Sequence, residues 1–144
     1  MTASSQTAEA VRDARPFGAD EEPCLSVRHL SKRFGGGCPH CLAPDARLER
    51  NVCPVCGTVH AVRDANLDVY PAEIVGIVGE SGSGKSTLMK CLFFDEQATE
   101  GEVRVAPYDG GAANVLEASP QHKRRIRNTV FGMVYQNPYL GLRM

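Results

Sequence analysis

The chain has 144 residues, 42% of them hydrophobic, which is one-domain size with enough apolar mass for a core and excludes a wholly disordered protein. A net charge of −1 argues against a dominant nucleic-acid-binding surface, and no apolar run reaches the length of a bilayer span. The N-terminus has neither a basic region nor an apolar stretch, so a cytoplasmic protein is expected, with no nucleic-acid partner and no transmembrane segment.

Residues 1–22, rich in Ala, Ser, Thr and acidic groups without a sustained apolar period, read as a disordered tail, or as a docking peptide that folds on a partner. Residues 24–34 alternate Leu25, Val27 and His29 against polar neighbours and predict a half-buried strand, with a turn at Gly35-Gly36-Gly37. Phe34 closes that strand beside glycines. Its ring could stack on a nucleobase, and the plainer reading is a core or edge aromatic.

Cys38-Pro39-His40-Cys41 and Cys53-Pro54-Val55-Cys56 are two CxxC pairs separated by eleven residues. Each short knuckle sets two thiolates on one side of an ion, and four complete a tetrahedron. Pro at the second position stiffens each knuckle, and Gly57 tolerates a left-handed turn. In a reducing compartment such cysteines hold metal more often than they form disulfides, with zinc first and iron or a redox pair as alternatives. His40 and His60 are near enough to substitute as ligands, but four cysteines already close the site and assign it a structural or docking role. The other two cysteines, Cys24 and Cys91, read as packed small apolar residues.

Residues 61–70 alternate again and predict a strand. Residues 74–78, IVGIV, form a continuous apolar run suited to a parallel strand buried on both faces. Gly79-Glu80-Ser81-Gly82-Ser83-Gly84-Lys85-Ser86 then fits the P-loop pattern, followed by a helix over 88–94. A chain that wraps the triphosphate of ATP with backbone N–H groups needs positive φ and close approach, which Gly82 and Gly84 permit. Lys85 would reach the β and γ phosphates, Ser86 would ligate magnesium, and Thr87 offers a second hydroxyl.

Further on, a turn at Gly101 leads into a short strand, and residues 107–113 are loop. Ser119 and Pro120 announce a helix carrying Lys123, Arg124, Arg125 and Arg127, a solvated face or a contact for RNA or acidic lipid. Residues 129–135, TVFGMVY, read as a buried strand ending at Gln136-Asn137-Pro138.

The P-loop written GESGSGKST, the aromatic closing the first strand, and the Gln-Asn-Pro about fifty residues beyond Lys85 together resemble the nucleotide-binding domain of ABC ATPases. The resemblance covers residues 25–144 apart from the cysteine insertion. It implies an α/β P-loop NTPase of ABC type, with the domain over 23–144 and a zinc-ribbon-like insertion over 38–57. It also implies that Phe34 is the aromatic that stacks on adenine and that Gln136 is the Q-loop glutamine, which contacts magnesium and the attacking water. Lys85 and Gln136 would then be the catalytic residues.

The run from Gln136 to Met144 resembles the Q-loop of the ATP-binding component of the phosphonate carbon–phosphorus lyase system, with oligopeptide and dipeptide importer ATPases as the alternative. Partners implied are a second ATPase subunit in a dimer, and a lyase complex or membrane permease subunits, the latter placing the chain peripherally at the inner face of the membrane. Such an ATPase also needs a signature motif, a Walker B Asp-Glu and a switch His, none of which occurs before Met144. The chain is therefore expected to be the N-terminal portion of a longer protein and to turn ATP over negligibly alone. From another class comes the expectation of a zinc-ribbon docking module that uses the nucleotide fold without hydrolysis.

Overall fold

The computed structural model describes residues 9–12 and 21–137. In chain order the elements are β1 (Glu9–Arg12), β2 (Leu25–Phe34), α1 (Pro39–Leu42), β3 (Val59–Val69), β4 (Val75–Val78), α2 (Lys85–Leu92), β5 (Glu100–Val105) and α3 (Pro120–Thr129). β2 is the centre of a three-stranded sheet, antiparallel to β3 on one side and to β5 on the other.

The alternation in β2 changes phase partway. Val27 and Leu30 are both fully buried, a spacing of three that a regular strand would send to opposite faces. A bulge reconciles them: the register slips between Val27 and Leu30, and His29 takes a positive φ of 51°. Side chains satisfy the ladder groups this frees, with Asn66 Oδ1 accepting from His29 N at 2.9 Å and Ser31 Oγ accepting from Asp64 N at 3.0 Å. Gly101 is not the turn before a strand but lies inside β5, where the β2–β5 register also shifts.

One face of the sheet carries the core. Val27, Leu30, Val62, Leu67, Val103 and Val105 pack against Leu88, Cys91 and Leu92 of α2, with Val115 and Ile126 closing the cluster. Burial stabilises each such aliphatic side chain by about 1.5–3 kcal/mol. Cys91 is fully buried and packs as the small apolar residue expected, its thiol pushed up by burial. α3 starts as anticipated, Ser119 Oγ accepting from His122 N with Pro120 in the first turn. Its basic residues divide. Arg124 and Arg125 face solvent, whereas Lys123 and Arg127 lie over the rings of Phe94 and Phe93 at 5.9 and 5.7 Å.

Three further expectations are corrected. β4 is not a parallel strand buried on both faces: it pairs antiparallel with β1, apart from the three-stranded sheet, and Ile74 and Val78 are 85% and 51% exposed. An apolar β-branched run supplies the strand, but burial on both faces needs covering layers. The segment read as a tail accordingly contains a strand, because the edge of β4 offers unpaired N–H and C=O groups that Glu9–Arg12 satisfies. Finally, residues 129–135 do not form a strand. α3 runs through Thr129, and Val134 is 97% exposed. Among the described residues no strand lies beside this stretch to complete a ladder, and its aromatics pack instead on those following α2.

Among the described residues no helix is long and apolar enough to cross a membrane.

Candidate nucleotide loop and metal centre

The loop between β4 and α2 turns on two glycines, Gly82 at φ 80° and Gly84 at φ 91°, where a side chain would be strained. Gly84 is the N-cap of α2 in the left-handed conformation, so Lys85, Ser86 and Thr87 form the first helical turn. A Cβ at Gly84 would run into the carbonyl oxygen of Ala61 in β3, so glycine lets the loop lie directly on the sheet. At Gly82 the same construction meets nothing within 4 Å, which leaves that side of the loop open. Glu80, Ser81 and Ser86 are exposed and Ser83 is buried, with Ser83 N donating to Glu80 O at 3.2 Å.

Lys85 bends back over the loop. Its Nζ donates to Gly79 O and Glu80 O, both at 2.6 Å, and to Ser83 Oγ at 3.2 Å. A cation and a helix N-terminus thus meet at one open loop, two of the features that receive a polyphosphate, and the oxygens now bonded to Lys85 stand in the place of an anion's. The Ser86 hydroxyl is exposed beside Lys85 on the same open side.

The two outlying candidates stand differently. Phe34 ends β2 opposite Val59, is 44% exposed, and has the Lys32 ammonium 4.6 Å from its ring centroid. Gln136 is exposed in a bend whose position is set by Tyr135, which donates from its hydroxyl to Asp95 at 2.6 Å and meets Phe93 edge-on. Asp95 follows the C-terminal end of α2, and eight helical residues span about 12 Å. The hydroxyl of Tyr135, the residue before Gln136, is therefore tied to the end of α2 opposite Lys85.

The four cysteines do converge. Their sulfurs all lie within 4.8 Å of one another, with Cys38–Cys41 and Cys38–Cys53 at 3.8 Å and Cys41–Cys56 at 3.7 Å. Four thiolates bound tetrahedrally to zinc at about 2.3 Å stand about 3.8 Å apart, so the donor set and its spacing fit zinc. α1 supplies one knuckle, with Cys38 N donating to Cys41 Sγ at 3.2 Å; in the other, Gly57 at φ 72° lets its N–H bond Cys53 O at 2.9 Å.

The thiols are electrostatically unequal. Hydrogen bonds from the Thr58 hydroxyl and backbone bring Cys56 down to about 6. At Cys41 the Cys38 backbone pulls downward, but burial and the surrounding thiols prevail and raise it to about 11. His40 Nδ1 reaches Cys53 Sγ at 3.8 Å as a neighbour of the quartet, while Cys24 Sγ is engaged with Val69 O at 3.1 Å. Sequence reasoning passed over Thr58, which is 3% exposed and bonded to Cys56 Sγ at 3.2 Å. Its place directly after Cys-Gly was the available signal.

Comparison with known proteins places these features in context. The sequence profile of the ABC transporter family matches residues 62–144, which hold the nucleotide loop and Gln136 but not the cysteine quartet. The macrolide export ATP-binding/permease protein MacB of Psychrobacter arcticus is 39% identical over 129 residues, covering 90% of this chain and 16% of that protein. An Escherichia coli (strain K12) ATP-binding protein, PhnK, named for phosphonates utilization, is 39% identical over 80 residues, 56% of this chain and 30% of its own length. The oligopeptide transport ATP-binding protein OppF of Bacillus subtilis is 40% identical over 121 residues, 84% of this chain and 32% of its own. The chain thus spans less than a third of the length of these relatives.

Proposed function

From the premise that this chain belongs to the ABC transporter family, as an α/β P-loop ATPase domain bearing a four-cysteine, zinc-ribbon-like insert, we propose that residues 79–87 bind ATP with magnesium. The observation that carries the reading is the Lys85 ammonium held over a glycine-built loop at the N-terminus of α2. In the working assembly two such subunits share their nucleotides, and hydrolysis drives a change of shape in a partner. Gln136 would then contact magnesium and the attacking water, and Phe34 would stack on adenine on the ring that Lys32 now meets.

The assembly we favour is a cytoplasmic phosphonate carbon–phosphorus lyase complex. Its support is the run Gln136-Asn137-Pro138-Tyr139-Leu140-Gly141-Leu142-Arg143 and the similarity to the Escherichia coli protein. Similarity to OppF over most of the chain supports a peptide importer as the second reading, with permease subunits at the membrane as partners.

The test is Lys85→Ala. A hydrogen bond to a charged group contributes about 1.5–3 kcal/mol, so the substitution should weaken Mg-ATP binding about 10- to 100-fold in a calorimetric titration. An unchanged dissociation constant would sink the assignment.

A further inference from the structure

One short length of chain joins the cysteine cluster to the nucleotide loop. Thr58 Oγ1 is bonded to Cys56 Sγ at 3.2 Å and accepts from Gly37 N at 3.1 Å, while Thr58 O accepts from Cys53 N at 2.9 Å. Gly35 lies so close that a Cβ there would be 2.8 Å from the same hydroxyl oxygen. The buried Thr58 therefore knots together the exit from β2, up to the residue before Cys38, the second cysteine knuckle and the entry to β3.

Two constraints leave the knot. Val59 pairs with Phe34 as the last rung of the β2–β3 ladder. Two residues further, the Ala61 carbonyl abuts Gly84, so the start of β3 cannot move toward the loop without displacing the residue that sets the first turn of α2. Lys85 comes next. Residues 35–58 close this end of the ladder, and four sulfurs gripping one ion hold that closure far more firmly than weak thiol contacts do.

We propose that metal binding at Cys38, Cys41, Cys53 and Cys56 presets the nucleotide loop, with Thr58 as the positioning residue that passes the constraint to Phe34 and Gly84. The proposal rests on the ATP reading above and adds a regulator to the same site: the ion acts on nucleotide affinity without touching the nucleotide. By reciprocity, nucleotide tightens the hold on the ion by the same factor.

The experiment measures zinc content, melting temperature and the Mg-ATP dissociation constant of the full chain. It compares zinc-loaded protein, chelator-stripped protein, stripped protein with zinc restored, Thr58→Val and Thr58→Ser. Thr58→Val should retain its zinc and bind Mg-ATP about tenfold more weakly, within the usual range of coupling between sites. Thr58→Ser, which keeps the hydroxyl, should recover the native constant. Stripping should weaken binding at least as much, in protein that circular dichroism shows to be folded, and restored zinc should reverse it.

A zinc-bearing Thr58→Val with native affinity overturns the proposal, as does stripped, folded protein with native affinity. If Thr58→Val loses zinc, the stripped and restored wild-type constants decide. The two layers fail differently: metal-independent Mg-ATP binding removes only the coupling, whereas no binding by the zinc-loaded wild type removes the ATP reading as well.

Discussion

At Gly101 the backbone of β5 passes so near β2 that a methyl group would sit 2.5 Å from Leu30 Cα and 2.8 Å from Leu30 N, at a φ of 117° that side chains rarely adopt. Left-handed strain contributes about 1–2 kcal/mol and overpacking about 1–3 kcal/mol. We expect Gly101→Ala to lose about 2–5 kcal/mol in urea denaturation, while Gly36→Ala, with nothing within 4 Å of its Cβ, stays within about 0.5 kcal/mol. Equal midpoints for the two variants would contradict the close approach. Sequence reasoning saw a glycine and inferred a turn, since both uses exploit the same missing Cβ. What selects between them is the bulge at His29 on the neighbouring strand, a contact made across the sheet.

The cysteine knuckles were legible as elements because each is complete within four residues: spacing alone fixes which sulfurs can share an ion. We expect metal analysis to find one zinc per chain, lost in Cys53→Ser and kept in Cys24→Ser, whose sulfur is occupied with the Val69 carbonyl. Zinc retained by Cys53→Ser would show that the quartet is not the site. The nucleotide loop was readable for the same local reason, its glycines, lysine and hydroxyl following one another without a break. Residues 129–135 show the converse. TVFGMVY has the composition of a buried strand, but a strand exists only beside a neighbour, and here Phe131 and Tyr135 go to Phe94 and Phe93 instead. Gln136, assigned by resemblance to a family pattern, follows that segment and lies exposed one residue beyond the Tyr135 that bonds Asp95.

Over the whole molecule, stability should depend on pH through His60. It is 5% exposed, its Nε2 has no hydrogen-bond partner among the described residues, and burial, then Arg63 and Arg33, hold its pKa below the usual 6.5. The unfolded chain takes up this proton near 6.5 and the folded chain only at lower pH, so between the two values the unfolded state binds more protons. Stability is therefore complete above 6.5 and declines as pH falls below it. With zinc saturating, denaturation midpoints should drop from pH 7.5 to 5.5, and His60→Leu should flatten that slope; an identical slope in the variant would exclude His60 as its source. Alternation along β3 sets His60 on the same side as Val62, but it could not show that Leu67, five residues on, joins that core, because the register slips between them where Asp64 takes a φ of 48°. The pairing of β4 with Glu9–Arg12 was hidden likewise, since it joins segments more than sixty residues apart. Because Lys85 already holds Gly79 O, Glu80 O and Ser83 Oγ, an arriving anion exchanges places with the protein's own oxygens. Nucleotide capture and release of these three oxygens would therefore be a single exchange, with the loop's own hold on Lys85 as the competitor.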